Sequence, residues 1–477
     1  MSRNNTKDMT VGSPVKQILI FTIPFLIGNV FQQFYNIADM IIVGRTMNPL
    51  AYAAVGSTGT LVSFANWPVQ GLTAGFSAIV AQRFGAKDEK RLKRAFASSI
   101  KLSFIISAVL TMIFVIFCRP ILTFMRTPDT LIDDAYSYLI WIYAGIIVTT
   151  AYNLLAGVIR ALGDSRTPLY FLVISCVINI LLDIVFIKFC KFGTAGAGVA
   201  TVTAQLLSVA LCIVYIAKKL PLLHISLKDF KTDLSMNKSL LKIGVPMAFL
   251  NMVITVGAII VQFVTNGFGE TYVSAQVTGT KIEQFVTLVL MSVGSAVSVF
   301  SSQNYGARKY GRVIEGCKKT VLIAWLWSIA APLMMLLAGK PIIRLVASGV
   351  DAVIVDNAYT YILVNSSMTF ILVPLIVFKA VLPAVGITKW TMVSGFAEII
   401  GRAGTGVLVM TLTSLKTVTD VQGFIIMCFS NPVAWVFGLL VVLIDYVSMR
   451  KRFKKLMEGS AAAEEGRKIQ DSSPFAD

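Results

Sequence analysis

Twelve predominantly apolar runs, each about 20 or more residues long, recur along the chain and restrict its fold more than any other feature. They fall near 17–44, 51–82, 95–118, 131–157, 167–190, 196–217, 239–266, 272–302, 319–338, 355–380, 388–412 and 421–446. In hydrocarbon, every backbone N–H and C=O must find a partner within the protein, which leaves helices or closed barrels. Barrel strands need only about 9–11 residues, so runs of this length predict helices. Composition agrees: 56% of the 477 residues are hydrophobic and 14% charged, with mean hydropathy +0.77. A soluble domain would be about a quarter charged. An all-α integral membrane protein with twelve transmembrane helices is expected.

The net charge of +18 would suit nucleic acid, but the basic residues are in the wrong places for it. They sit in short connections between the apolar runs, where Lys and Arg set membrane orientation. With the N-terminus inside, the inner segments hold 31 of the 42 Lys and Arg residues, the outer segments 8, and the spans 3. This bias predicts an inner- or plasma-membrane protein with both termini in the cytoplasm, and no nucleic-acid partner. Met1 to Val15 is polar and does not resemble a cleavable signal.

The chain also repeats itself. Gln82-Arg83-Phe84-Gly85-Ala86 recurs as Gln303-Asn304-Tyr305-Gly306-Ala307, an offset of 221. Thr58-Gly59-Thr60 recurs at 278–280, Pro24 and Asn29 as Pro246 and Asn251, Arg119-Pro120-Ile121 as Lys340-Pro341-Ile342, and Ala135-Tyr136-Ser137-Tyr138 as Ala358-Tyr359-Thr360-Tyr361. A steady offset at five places marks an internal duplication. Six spans per repeat predict two six-helix lobes related by a pseudo-two-fold along the membrane normal, around a central cavity. That plan belongs to alternating-access transporters. The expected layout is an N-terminal lobe over 1–217, a basic cytoplasmic linker over 218–238, a C-terminal lobe over 239–446, and a tail over 447–477. The tail begins basic, suited to anionic lipid, and is expected to be disordered beyond about residue 457.

Carboxylates inside spans are the candidate functional groups, because each costs about 2.5–3.5 kcal/mol at mid-membrane. Those present are Asp39, Asp183, Glu283, Glu398 and, near the end of the last run, Asp445. Asp39 and Asp183 have no cation within one helical turn and lie at similar depth in the outer half of the N-terminal lobe. Asn179 precedes Asp183 by one turn on the same face, and Thr201 enters at that depth on the sixth helix. This oxygen-rich group could hold Na⁺, or its two carboxylates could share a proton. The repeat places Val261 and Gly406 opposite Asp39 and Asp183, so ion coupling is expected in the N-terminal lobe alone. Glu398 and Arg402, one turn apart, read as a neutralised helical ion pair. Lys281 and Glu283 face different sides of the eighth helix, and one of them is a cavity candidate. Asp445 reads as an interfacial residue beside the basic tail. Tyr35, Asn36, Tyr138 and Asn153, with Trp141 and Tyr152, are candidates for a cavity holding flat organic cations.

Enzymatic chemistry finds no support. The only histidine is His224, the six cysteines (Cys118, Cys176, Cys190, Cys212, Cys317 and Cys428) are scattered without a CxxC, and no nucleophile motif occurs. No cofactor or resident metal is implied, beyond a coupling H⁺ or Na⁺.

The run Phe34-Tyr35-Asn36-Ile37-Ala38-Asp39-Met40-Ile41-Ile42-Val43-Gly44-Arg45, the Gln82–Gly85 and Gln303–Gly306 pair, and Gly157-Val158-Ile159-Arg160-Ala161-Leu162-Gly163-Asp164-Ser165-Arg166-Thr167-Pro168 together resemble the multidrug and toxic compound extrusion family. The resemblance spans about residues 12–450. It implies a twelve-helix, two-lobe transporter that exports drugs in exchange for H⁺ or Na⁺. In the branch resembling the DNA-damage-inducible F proteins, coupling is attributed to residues matching Asp39, Asn179, Asp183 and Thr201. A second branch uses carboxylates in the seventh and tenth helices. Here the seventh has none and the tenth only Asp356, at its extreme end. The expected protein is therefore a multidrug efflux antiporter for cationic or amphiphilic small molecules, working as a monomer among membrane lipids. Its rivals are a flippase for a lipid-linked precursor and a major-facilitator-like metabolite carrier.

Overall fold

A computed structural model describes residues 6–47, 49–231, 233–347 and 349–471, with side chains for all of these except 35–40, 49 and 460–471. Among the described residues there is no strand. The N-terminal half holds α1 (Pro14–Thr46), α2 (Pro49–Ser57), α3 (Gly59–Gly85), α4 (Glu89–Phe124), α5 (Asp129–Ala144), α6 (Ile146–Ala161), α7 (Arg166–Asp183) and α8 (Gly193–Lys219). The C-terminal half holds α9 (Leu234–Asn266), α10 (Glu270–Gly306), α11 (Tyr310–Val346), α12 (Ala352–Ser367), α13 (Thr369–Ala384), α14 (Lys389–Ser414), α15 (Asp420–Cys428) and α16 (Ser430–Asp471).

Among the described residues, nine helices are long and apolar enough to cross a membrane unaided. Two bent pairs, α5–α6 at 44° and α12–α13 at 54°, bring the number to eleven. The breaks sit at Gly145 and Met368, one repeat offset of 223 apart, so the bend itself is duplicated. The α2–α3 pair completes the twelve. Its stretch from Val69 to Gln82 is almost wholly buried, as a helix enclosed by protein must be.

The lobes meet along α3 against α9 and α10, and along α1 against α10. Glycine makes the α3–α9 crossing close: a Cβ on Gly75 would lie 2.6 Å from the Gly244 Cα, and one on Gly71 2.3 Å from the Met247 carbonyl oxygen. Where α3 and α10 end, the repeated motifs interlock. Gln82 Nε2 donates to the Ala384 carbonyl (2.8 Å), and Gln303 Nε2 donates to the Ala161 carbonyl (2.8 Å). Each bond thus runs from one lobe to the other.

The segment before α1 is tied across this seam. Lys7 N donates to the Leu162 carbonyl (3.0 Å) and Met9 N to Gln303 Oε1 (2.9 Å). Asn304 Nδ2 and Lys309 Nζ donate in turn to the Met9 and Thr10 carbonyls (3.2 and 2.9 Å). Met9 is fully buried in the C-terminal lobe's core. Phe453 of α16 packs on Tyr305 and Tyr310 at the same end, so both chain termini emerge together.

α16 runs on to Asp471, through the stretch beyond residue 457. That stretch carries several Ala and Glu residues, strong helix formers that can extend a helix already nucleated by the preceding span.

Candidate functional site

Asp183 is the last α-helical residue of α7, and residues Ile184–Phe189 follow as a π-helix. Such one-turn π segments arise where a helix accommodates an extra residue, frequently at functional sites. Here the widened turn lies directly beside the carboxylate. α8 approaches it closely through a run of small residues, Gly193 to Gly198. A Cβ on Gly196 would be 3.2 Å from the Phe186 carbonyl carbon, and one on Gly198 would be 2.8 Å from the Tyr138 carbonyl oxygen. That approach brings Thr201, about one turn further along α8, level with Asp183.

The three described members of the expected constellation do converge. Asn179 and Asp183 are fully buried, and Thr201 nearly so. With its amide oriented to satisfy both neighbours, Asn179 donates from Nδ2 to Asp183 Oδ2 (3.0 Å). Its oxygen accepts from the Thr201 backbone N–H (3.1 Å). One amide therefore links α7 to α8 and supports the carboxylate. The donor set is hard oxygen throughout, the chemistry suited to a proton or a small hard cation and not to a soft metal. Asp39, Tyr35 and Asn36 belong to α1, but their side chains lie outside the described residues. Tyr138 is buried in an apolar cluster with Leu139, Ile142 and Ala197. Asn153 and Tyr152 are half-buried on α6, and Trp141 is exposed.

The second lobe is built differently at the equivalent positions. Val261 packs with Val264, Val409 and Met427, and Gly406 lies against Val264. An apolar cluster stands at the positions that the repeat pairs with Asp39 and Asp183. The C-terminal polar groups lie nearby in one chain of contacts. Glu283 accepts from the Tyr361 hydroxyl (2.8 Å), Asn431 Nδ2 donates to that hydroxyl (3.3 Å), and Arg402 Nε donates to Asn431 Oδ1 (3.1 Å). Tyr361 and Arg402 are the repeat counterparts of Tyr138 and Asn179 at an offset of 223. A cation thus replaces an amide. Lys281 is exposed and takes no part in this chain of contacts.

Glu398 and Arg402 form the expected ion pair, with Arg402 Nη1 3.8 Å from Glu398 Oε2. Glu398 has a second and closer partner in Lys379 of α13, in direct hydrogen-bond contact. Lys379 lies half-buried in α13, and its partner across the helices accounts for a cation there. Gly438 leaves room for this pair, since a Cβ there would lie 2.6 Å from Glu398 Oε1. Asp445, expected at the interface beside the tail, is buried and accepts from the backbone N–H groups of Trp390 (2.9 Å) and Thr391 (3.2 Å). It caps the N-terminus of α14. Asp164 does the same for α7, accepting from Arg166 N (3.1 Å) and Thr167 N (3.0 Å).

Comparison with known proteins agrees with this architecture. The MatE family model matches the chain twice, over residues 24–185 and 246–408, which restates the duplication. "Probable multidrug resistance protein YpnP" of Bacillus subtilis is 28% identical over 352 residues, covering 74% of this chain and 79% of the relative. "Probable multidrug resistance protein YoeA" of the same organism is 30% identical over 320 residues, covering 65% and 68%. Among solved structures, one described as MATE in the bent conformation superposes with a TM-score of 0.85 at 20% identity, covering 97% of this chain and 100% of that one. A duplicated match across both lobes and a fold shared end to end make this chain a transporter, not an enzyme, belonging to the MatE (multidrug and toxic compound extrusion) family.

Proposed function

We propose that this transporter exports cationic or amphiphilic small molecules from the cytoplasm in exchange for H⁺ or Na⁺, with Asp39, Asn179, Asp183 and Thr201 as the coupling site. The observation that carries the reading is the convergence of Asn179, Asp183 and Thr201 beside a π-helical turn in one lobe, against an apolar cluster at the matching place in the other. The names of the two Bacillus relatives support drug-like cargo. The charge bias of the connections supports cytoplasmic termini in a plasma or inner membrane.

In this scheme cargo binds from the cytoplasm while the carboxylates are ionised. After the lobes open outward, the incoming ion neutralises them, cation binding weakens, and cargo leaves. Cargo and ion must then oppose each other's binding by equal factors. Because both carboxylates lie toward the outer end of their helices, the driving ion reaches them from outside.

Dye efflux from everted vesicles, under separately imposed pH and Na⁺ gradients, tests the proposal and identifies the ion. Asp183→Asn should reduce gradient-driven transport at least about tenfold, the scale of a typical coupling energy, with normal membrane insertion. Undiminished gradient-driven efflux by that variant would overturn the coupling assignment. Translocation of a lipid-linked precursor without dye efflux would transfer the cargo to the flippase class.

A further inference from the structure

A cavity of about 440 Å³ lies where the segment before α1, the first two turns of α1 and the start of α7 meet. It is outside the proposed coupling site and uses none of its residues. Its lining joins polar and basic residues, Lys7, Gln17, Ser165 and Arg166, with the apolar Ile20 and the ring of Tyr170. Tyr170 is 60% exposed on a spanning helix, so the lining includes an apolar surface open to its surroundings.

Three cations gather here: Lys7 and Arg166 in the lining, and Lys16 in the first turn of α1, close enough for its charge to act on Lys7. Among the described residues none of them forms an ion pair. Burial and the charges of Lys16 and Arg166 hold the Lys7 ammonium below its ordinary pKa. The one carboxylate in the lining does not relieve them. Asp164 Oδ1 accepts from the Arg166 and Thr167 N–H groups, and Oδ2 accepts from Thr167 Oγ1 (2.6 Å) and Tyr215 OH (2.7 Å). Both oxygens are turned into the protein. At the repeat counterpart of Arg166, Lys389 instead stacks on Trp390.

We propose that this cavity binds the headgroup of an anionic phospholipid of the inner leaflet, its phosphate among Lys7, Lys16 and Arg166 and an acyl chain along Ile20 and Tyr170. Basic pockets between spanning helices at the cytoplasmic level select such headgroups. The proposal relies on the cytoplasmic placement of the termini argued above but not on the identity of cargo or coupling ion. Since Lys7 also donates its backbone N–H to Leu162, a bound headgroup would reinforce the strap that joins the lobes.

The purified, delipidated full-length chain provides the test, with lipid retention read by native mass spectrometry during titration. Wild type should retain phosphatidylglycerol in preference to phosphatidylcholine. Lys7→Gln with Arg166→Gln should weaken that retention about thirtyfold, the factor expected from two cations near an anionic lipid. Arg166→Gln alone should weaken it about fivefold, so the test stands even if the double variant fails to fold. Arg166→Lys and the control Lys389→Gln should leave it unchanged. Equal retention of phosphatidylglycerol by wild type and the single variant overturns the site. Displacement of the lipid by an equal concentration of glycerol phosphate overturns the lipid assignment in favour of a free phosphate ligand.

Discussion

Replacing Gly306 with alanine should unlock the end of the bundle where the two termini meet. A Cβ on Gly306 would lie 1.8 Å from the Gln82 carbonyl oxygen, and one on Gly85 1.9 Å from that of Gln303. Both obstacles are backbone, so neither can be relieved by a rotamer change. The ends of α3 and α10 must part by more than about 1 Å to reach ordinary van der Waals separation. That displacement breaks three buried bonds that join the halves: Gln82 to Ala384, Gln303 to Ala161, and Met9 to Gln303. At about 1 kcal/mol each, the lower end of the cost of an unmade buried hydrogen bond, the loss is about 3 kcal/mol. The ratio of closed to open forms at that end should fall on the order of a hundredfold. Spin labels at exposed Lys90 and Lys318, on opposite lobes, report the change by double electron–electron resonance. Cys190 is the exposed native thiol and is replaced by serine; the other five are buried. Gly306→Ala should shift the distance distribution to longer values. Gly59→Ala, where nothing lies within 4 Å of the new Cβ, should not. An unshifted distribution in Gly306→Ala would refute the reasoning that backbone contact between the repeated motifs holds this end shut.

Lys379→Met should destabilise the protein by about 3–5 kcal/mol, since it leaves Glu398 buried and without its principal partner. Adding Glu398→Gln should recover most of that loss, and thermal unfolding in detergent compares the three proteins. Asp164→Ala removes the cap of α7 together with the Tyr215 bond. It should cost about 1–2 kcal/mol, read as a lowered melting temperature that Asp164→Asn partly restores.

Much of the architecture was legible because it rests on local quantities. The cost of burying backbone polar groups in lipid makes each long apolar run a helix, and the repeat offset carries one lobe's plan to the other. Asn179 and Asp183 could be placed on one face because helical spacing alone puts residues four apart together. Thr201 could be matched to their depth by counting from the end of its span. The π-helical turn after Asp183 had no comparable signal: Ile184–Phe189 reads as ordinary apolar helix, and the close packing of α8 on it at Gly196 is a contact between segments.

The partners of buried charges were settled only in three dimensions. Spacing along α14 gave Arg402 as a partner of Glu398 and the pair is present, but nothing local pointed to Lys379, on another helix, as the closer one. Charge beside the tail suggested an interfacial Asp445, yet that carboxylate caps α14. The chain before α1 read as a polar N-terminus, yet Met9 is buried in the C-terminal lobe's core and Lys7 lines a cavity. By itself, then, the sequence determined that the chain forms spanning helices, that it is duplicated, and that Asp39 and Asp183 have no acidic counterpart at the repeat positions 261 and 406. The tertiary structure decided which distant side chains meet. Transfer energies and helical periodicity act residue by residue, whereas an ion pair between helices depends on where they cross, to within an ångström or so.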